Sequence, residues 1–398
     1  MKALGDPQRR VPFIHVTGTN GKGSTSEMIT RLLIAEGLSV GTYSSPHLAR
    51  YNERYRIDGD DIDDASLAEL LTQVAHAEKT LGCELMPFEI LTAAAYVWFA
   101  REGVDVAVVE VGVLGRYDAT NVANGKVAVT TNIGFDHTNG AGDWELRIAE
   151  EKAGIVKPGA HLVLGEVAHR LEPTFRDQQP GDVWRLGREV VIDADEPVED
   201  GRLLSISTPW QSLAELDLPL FGAHQSKNAA VAIAAASAFL ERPLEPVHVA
   251  AGLARVNMPA RLEVIANDPQ VILDGAHNPD AARALARALR DDLPSVGHRT
   301  LVIGLLDGRD PTVMLDALDA DRFDTIVACT PPTARARPGA EVAASAIASG
   351  IDAEVIEHDN VGSAVVEAIA RAAPDDQIVV TGSIYLVADA RKWLAAQR

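Results

Sequence analysis

His15-Val-Thr-Gly-Thr-Asn-Gly-Lys-Gly-Ser-Thr25 (HVTGTNGKGST) joins the apolar run Val11 to Val16 to a stretch with Met28, Ile29, Leu32 and Leu33 at helical spacing. The first predicts a short buried strand and the second a helix from Ser24 to Glu36. Gly18, Gly21 and Gly23 open backbone conformations closed to other residues and let N–H groups approach phosphate oxygens. Lys22 adds a point charge, Ser24 a hydroxyl, and the helix its free N–H groups and positive dipole end. The stretch therefore reads as a triphosphate cradle. It is not the strict Walker pattern, because Val16 stands at the first glycine position and Gly23, not Ser or Thr, follows Lys22. A tight left-handed turn without a ligand is the bland alternative.

Working outward, the 398 residues exceed one ordinary core and predict two or three domains. Aromatic residues are only 5% of the chain, so the core is built from Ala, Val, Leu and Ile, which suits alternating strands and helices. The net charge of −21 excludes a broad basic surface for nucleic acid or anionic membrane, while leaving room for a locally charged nucleotide site. Cys83 and Cys329 lack metal-ligand spacing and predict a reduced, cytoplasmic setting. The opening MKALGDPQRR has no apolar signal core. The alanine-rich run Ala229 to Leu240 falls well short of the ~20 residues that span a bilayer.

Strands are expected at Ser39 to Tyr43, Val104 to Val111 and Val127 to Ile133, and helices at about Ala65 to Lys79 and Phe88 to Arg101. This alternation predicts a mostly parallel sheet with ligands at the carboxyl ends of its strands. The polar clusters GTNGKGS, YSSPH, EVG and GFDH each follow an apolar run. Residues from about Glu166 to Leu220 read as short strands and loops, and Gln225 to Glu241 as a helix. After Met258-Pro259-Ala260-Arg261 the chain restarts as a second α/β unit, with strands at Leu262 to Ile265, Val271 to Leu273, Leu301 to Ile303, Thr325 to Ala328 and Ile378 to Thr381. The domains expected are thus residues 1–258 and 259–398. The acidic run Asp58 to Asp64 reads as a helix-entry loop in preference to a cation site.

Glu110 ends the run VAVVEVG, where a carboxylate can hold Mg²⁺ against nucleotide phosphates; a structural glutamate is the alternative. Asp136 and His137 follow the next strand and can face the same phosphates; a structural histidine is the alternative. Lys152 lies between two acids and a glycine turn, which favours a salt-bridged surface lysine; a lysine near metal and phosphate can instead add CO₂ and become an anionic carbamate. In the second unit, Asn278 before Pro279 is a helix cap, which leaves Asp274 and His277 for a ligand. Arg261 has the charge and reach for a phosphate. Ser383 either binds a carboxylate or caps its helix.

GTNGKGS, YSSPHL, RYNER, FEILT, EVG, DATN, TNIG, DHT, EKAGI, KPG, PAR, DGAHNP and TGSIYLV occur in the order seen in the folylpolyglutamate synthase/dihydrofolate synthase family of the Mur ligase superfamily. The resemblance covers nearly the whole chain. It implies an N-terminal P-loop domain with a mostly parallel sheet and a C-terminal Rossmann-like α/β domain. It implies an ATP- and Mg²⁺-dependent ligase that joins glutamate to a pteroate or folate carboxylate. An acyl phosphate forms first, and the glutamate amine then displaces phosphate, with ADP as the other product. By resemblance, Thr19, Asn20, Gly21, Lys22, Gly23 and Ser24 hold the ATP phosphates, with Asn228, Arg261 and Asp274 at other nucleotide positions. Ser45, Glu110 and His137 match magnesium ligands, and Lys152 the carbamylated lysine, so that Lys22, His137 and Lys152 form the catalytic set. Phe88, Tyr117 and Asp118 fall where the pterin is held, and His277 and Ser383 where glutamate enters. The implied enzyme is a cytoplasmic monomer acting on small molecules, with no nucleic-acid or membrane partner.

Three departures stand out. EVGVLGRYDATN places Leu114 at a family glycine and Tyr117 at a family leucine; GLLDGRDP replaces a lysine-bearing run; and MKALGDPQ begins near the end of a segment that contributes to the family's pterin pocket. They leave open a superfamily ligase with another carboxylate acceptor, or a nucleotide-binding protein without catalysis.

Overall fold

A computed structural model describes every residue except His137, Asn139, Gln397 and Arg398. The chain divides into two compact units, one of Met1–Glu196, Arg202–Pro219 and His224–Asn257, the other of Pro197–Gly201, Leu220–Ala223 and Met258–Arg398.

In the first unit the order is β1 (Phe13–Thr17), α1 (Lys22–Ala35), β2 (Val40–Tyr43), β3 (Tyr55–Ile57), β4 (Asp60–Asp61), α2 (Asp64–Leu81), α3 (Pro87–Glu102), β5 (Val106–Glu110), β6 (Gly125–Asn132), α4 (Trp144–Ala153), β7 (His161–Glu166), α5 (Glu172–Arg176), β8 (Val183–Arg185), β9 (Val191–Val198), β10 (Gly201–Thr208), β11 (Gln211–Leu218), α6 (Ala223–Leu240) and α7 (Pro246–Leu253). Eight strands form one sheet in the order β4-β3-β2-β5-β1-β6-β7-β8, in which β2, β5, β1, β6, β7 and β8 run parallel. The chain leaves β1 for β2, returns to β5 and then crosses to β6. The loops after β1, β5 and β6 therefore open side by side at a topological switch point. β1 and β5 are wholly buried, which explains their unbroken apolar runs.

The acidic run after β3 is a hairpin and a cap, as its turn chemistry demands. Asp58 takes a left-handed turn and accepts the Val40 N–H at 2.7 Å, and Asp63 caps α2 through the Ala65 and Ser66 amides. Helix α1 starts two residues earlier than expected, at Lys22, because Gly21 at φ +78° supplies the turn. Glu27 on α1 is 1% exposed and bridges Arg31 at 2.6 Å and Arg56 of β3 at 2.7 Å, tying the helix to the sheet edge.

Two regions differ from expectation. β7 passes unmarked in the sequence, because HLVLGE lacks clear flanking signals. The segment read as short strands and loops holds three eight-residue strands in an antiparallel sheet, β11-β10-β9. Polar residues on its outer face hide the alternation; inside it, Arg202 is buried on Asp195, which also accepts the Ser226 hydroxyl of α6 at 2.7 Å.

The second unit contains β12 (Glu263–Asn267), β13 (Gln270–Leu273), α8 (Pro279–Asp291), β14 (Arg299–Ile303), α9 (Pro311–Ala317), β15 (Thr325–Cys329), α10 (Gly339–Ala348), β16 (Glu354–His358), α11 (Val361–Arg371), β17 (Gln377–Thr381) and α12 (Ile384–Ala396). Its sheet order is β12-β13-β17-β14-β15-β16, parallel apart from β12. β16, with two glutamates in EVIEH, is a strand that the sequence reading passes over. Leu285, Leu289, Leu301, Ile303, Leu315 and Ile326 lie in the core that packs helices on this sheet. β17 sits between β13 and β14, so the loops after these three strands share one edge.

Candidate active site

At the switch point of the first unit, the loop after β1 is fastened by side chains of β6. Asn132 Oδ1 accepts both the Thr19 and the Asn20 amide, at 3.0 and 2.9 Å, and Thr131 Oγ1 donates to Asn20 O at 2.6 Å. The glycines are required by space as well as by angle. A Cβ on Gly18, at φ +152°, would lie 1.8 Å from Thr131 Oγ1, and one on Gly21 would lie 2.4 Å from Asn228 Oδ1 of α6. Asn228 is thus brought against the loop, where Gln225 accepts its amide at 3.0 Å. Lys22 Nζ folds over the Gly18 carbonyl at 3.2 Å, and Ser24 is buried in the first turn of α1. No side chain caps this helix, so its first amides are available to an anion.

Beside the loop, Glu110 ends β5 nearly buried and its Oε2 accepts the Ser45 amide at 3.0 Å. A carboxylate and a serine hydroxyl at a sheet edge are hard oxygen donors and fit Mg²⁺, which keeps water and phosphate as its other ligands. His137, the third expected ligand, lies outside the described residues. Asp136 is 6% exposed.

Lys152 is not the surface lysine that its acidic neighbours suggest. It is 3% exposed on α4, and burial, with Lys22 nearby, lowers its pKa from 10.5 to about 7, against the pull of Asp136 and Asp118. Glu151 and Glu150 instead offer their carbonyls to Arg116, the first to its amide at 2.8 Å and the second to its guanidinium at 3.0 Å.

The three expected pterin contacts part company. Phe88 and Asp118 meet over Gly112, whose Cβ would lie 2.5 Å from the Phe88 ring and 3.1 Å from Asp118 Oδ2. Tyr117 is 86% exposed and rims a polar cleft with Arg116, Glu150, Glu151 and Asp177. Asp118 also holds its own loop, accepting from Val113 N at 2.9 Å, Thr120 N at 3.0 Å and Thr120 Oγ1 at 2.5 Å. Leu114 sits in this loop at φ +59°, a left-handed conformation.

In the second unit, Asp274 after β13 accepts the Leu262 and Ala276 amides at 2.9 and 2.8 Å; burial raises its pKa, against Arg261 and His277. A Cβ on Gly275 would lie 2.4 Å from an Arg261 nitrogen, so the guanidinium lies over this backbone. His277 Nδ1 pairs with Gly275 O at 2.9 Å. Asn278 is the helix cap, accepting Ala281 N at 2.9 Å. Ser383 is fully buried and its Oγ accepts Leu386 N at 3.1 Å, which makes it the cap of α12 without using its own O–H.

Residues 16–236 match the Mur ligase middle domain and residues 260–384 the Mur ligase glutamate ligase domain. The chain is 35% identical to folylpolyglutamate synthase of Lacticaseibacillus casei, over 99% of this chain and 92% of that protein. It belongs to the folylpolyglutamate synthase/dihydrofolate synthase family. Mycobacterium tuberculosis folylpolyglutamate synthase complexed with ADP superposes with a TM-score of 0.92 at 34% identity, covering 98% of this chain and 92% of that one. Escherichia coli FolC in complex with DHPP and ADP gives 0.89 at 31% identity, covering 100% and 92%. Membership makes the chain an ATP-dependent acid–amino-acid ligase of α/β architecture, for which ATP and a divalent metal are the family's cofactors. None of its described helices is long and apolar enough to cross a membrane.

Reading the sequence missed His15. It is fully buried in β1, where desolvation and Lys157 lower its pKa to about 3 and keep it neutral. Thr120 Oγ1 donates to Asp118, so it accepts from His15 Nε2 at 2.9 Å, and the ring proton lies on Nε2. The neutral ring thereby supports the hydroxyl that orients Asp118. A histidine inside an apolar run carries no motif, and only the three-dimensional pairing shows its use.

Proposed function

We propose that this family member adds L-glutamate to dihydropteroate, to folate or its polyglutamates, or to both, through an acyl phosphate, releasing ADP and phosphate. The observation that carries the reading is the glycine loop seated on Asn132 and Asn228 beside the Glu110–Ser45 pair. In this reading Thr19 to Ser24 and the first amides of α1 receive the phosphates, with Lys22 countering their charge. Glu110, Ser45 and His137 would hold Mg²⁺, which when bound neutralises phosphate charge as the acyl phosphate forms. Asn228, Arg261 and Asp274 serve the nucleotide, Phe88, Tyr117 and Asp118 the pterin, and His277 the amino acid. Ser383 is assigned to the amino acid as well, its Oγ also capping the start of α12. Residues 1–258 are assigned as the Mur-type ATP-binding domain and 259–398 as the glutamate ligase domain. The enzyme works as a cytoplasmic monomer on small molecules alone.

Lys152 is assigned the carbamate. With its pKa near 7 the amine is substantially neutral at physiological pH, as attack on CO₂ requires. The nitrogen lone pair forms the N–C bond, one C=O π pair moves to oxygen, and a proton leaves for solvent. The product is an anion beside the phosphates and metal ligands, with the charge that a cation site calls for.

Purified protein with ATP, Mg²⁺, glutamate and either acceptor should release phosphate only when acceptor and glutamate are both present. Mass spectrometry of the products assigns acceptor and chain length. Absence of acceptor-dependent phosphate with both acceptors would overturn the reading.

A further inference from the structure

Glutamate carries two carboxylates, and the buried Ser383 brings no positive charge to this edge of the glutamate ligase domain. Two exposed groups do stand there. Tyr385 lies in the first turn of α12, two residues beyond Ser383, and its hydroxyl accepts from the Arg335 guanidinium at 3.1 Å. The guanidinium carbon also lies 5.9 Å from the Tyr385 ring centroid.

Arg335 belongs to the loop after β15, and three backbone contacts fix that loop against the one after β14. Asp307 N donates to Arg335 O at 2.8 Å, Leu306 bridges Ala336, and Arg337 N donates to Leu305 O at 2.9 Å. The loops after β14, β15 and β17 thus converge on one arginine at the carboxyl edge of the sheet. Its charge is uncommitted: Arg337, two residues on, is ion-paired with Glu341, whereas Arg335 has no carboxylate partner among the described residues. In a chain of net charge −21, a cation held at a ligand edge without an acid is matched to an anion from outside.

We propose that Arg335, oriented by Tyr385, binds a carboxylate of the incoming glutamate. The proposal rests on the reading above that this domain receives glutamate. The guanidinium presents paired N–H donors to a carboxylate while the tyrosine ring and hydroxyl hold its plane, a geometry that an ammonium only partly reproduces. The ligand class is an acidic amino acid, so glutamate is selected over glutamine and other neutral amino acids at this contact.

The test uses the full chain and steady-state phosphate release with ATP, Mg²⁺, a folate acceptor and varied L-glutamate. Arg335→Ala should raise the glutamate KM about tenfold to a hundredfold, the scale of a charged hydrogen bond. The KM for ATP and for the acceptor should stay within about twofold, and Arg335→Lys should recover part of the loss. Tyr385→Phe should give a smaller rise of the same kind. An unchanged glutamate KM in Arg335→Ala would overturn the proposal. So would a parallel rise in every KM, which marks a structural role. Should the parent protein show no turnover with any acceptor, the functional reading itself fails. Calorimetric titration of L-glutamate into the protein with a nonhydrolysable ATP analogue then decides the pair by itself: weaker binding in Arg335→Ala upholds it, and equal binding or none by the parent overturns it.

Discussion

The two parallel sheets present their ligand edges by different means. In the first unit the edge is backbone: Gly18 and Gly21 bring the chain against Thr131 and Asn228 at distances that admit no Cβ. In the second unit the edge is made of side chains from separate loops, with Arg261 over Gly275 and Arg335 against Tyr385. A backbone cradle demands closely spaced glycines and so leaves a motif. A side-chain edge needs only loops that converge, and it tolerates local change.

Alanine at one glycine of each edge should break the symmetry between them. Gly18→Ala forces a Cβ to 1.8 Å from Thr131 Oγ1 at φ +152°, and the expected outcome is a loss of about 2 kcal/mol or more in urea unfolding with loss of ATP-analogue binding. Gly275→Ala meets the far end of the flexible Arg261 side chain at 2.4 Å and has no positive φ. Arginine should swing aside, with a much smaller loss of stability. Equal losses in the two variants would show that the second edge is as rigid as the first.

Lys152 adds a titration to the contrast. Its folded pKa is about 7 and its unfolded value 10.5, so below pH 7 both states carry the proton and the fold bears the full burial penalty. As pH rises from 7 towards 10.5 the folded state releases a proton that the unfolded state keeps, and stability increases. Without CO₂, the parent should gain about 2 kcal/mol relative to Lys152→Met between pH 7 and 9, read from paired urea titrations. Parallel curves for the two proteins would mean that the amine is not desolvated in solution.

The fold was legible wherever periodicity and punctuation agree. β1, α1, β5 and β6 were expected within a few residues, because each buried run is followed by a polar turn at the switch point. β9 to β11 were read only as short strands and loops, because a polar outer face and a buried Arg202–Asp195 pair blur the alternation of these eight-residue strands. At the site, the Lys22 loop and Glu110 follow from local sequence, whereas the pairings of His15 with Thr120 and of Arg335 with Tyr385 join residues distant in the chain and leave no local signal. Ser383 is intermediate: the sequence offers ligand or cap, and its Oγ, accepting Leu386 N at 3.1 Å, is a cap whose O–H is still there to donate. Ser383→Ala should therefore cost about 1 kcal/mol in urea unfolding. No change would mean that this hydrogen bond does not hold the start of α12.

The smallest effect concerns Leu114, where the first unit lacks a glycine that its backbone asks for. The residue holds φ +59° and its carbonyl accepts the Thr17 hydroxyl at 2.6 Å, so the strained turn is also a fastening between β1 and the Asp118 loop. Replacing leucine by glycine alone confounds two terms, relief of the left-handed strain and loss of a half-buried side chain. The pair Leu114→Ala and Leu114→Gly separates them, since both lose the side chain and only alanine keeps the strain. A left-handed L-residue costs about 1–2 kcal/mol and glycine's extra unfolded-state freedom returns about 0.5–1 kcal/mol. The glycine variant should thus be the more stable of the two by about 0.5–1 kcal/mol. An alanine variant as stable as the glycine one would mean that the loop relaxes out of the left-handed conformation, and that the fastening to Thr17 does not hold it there.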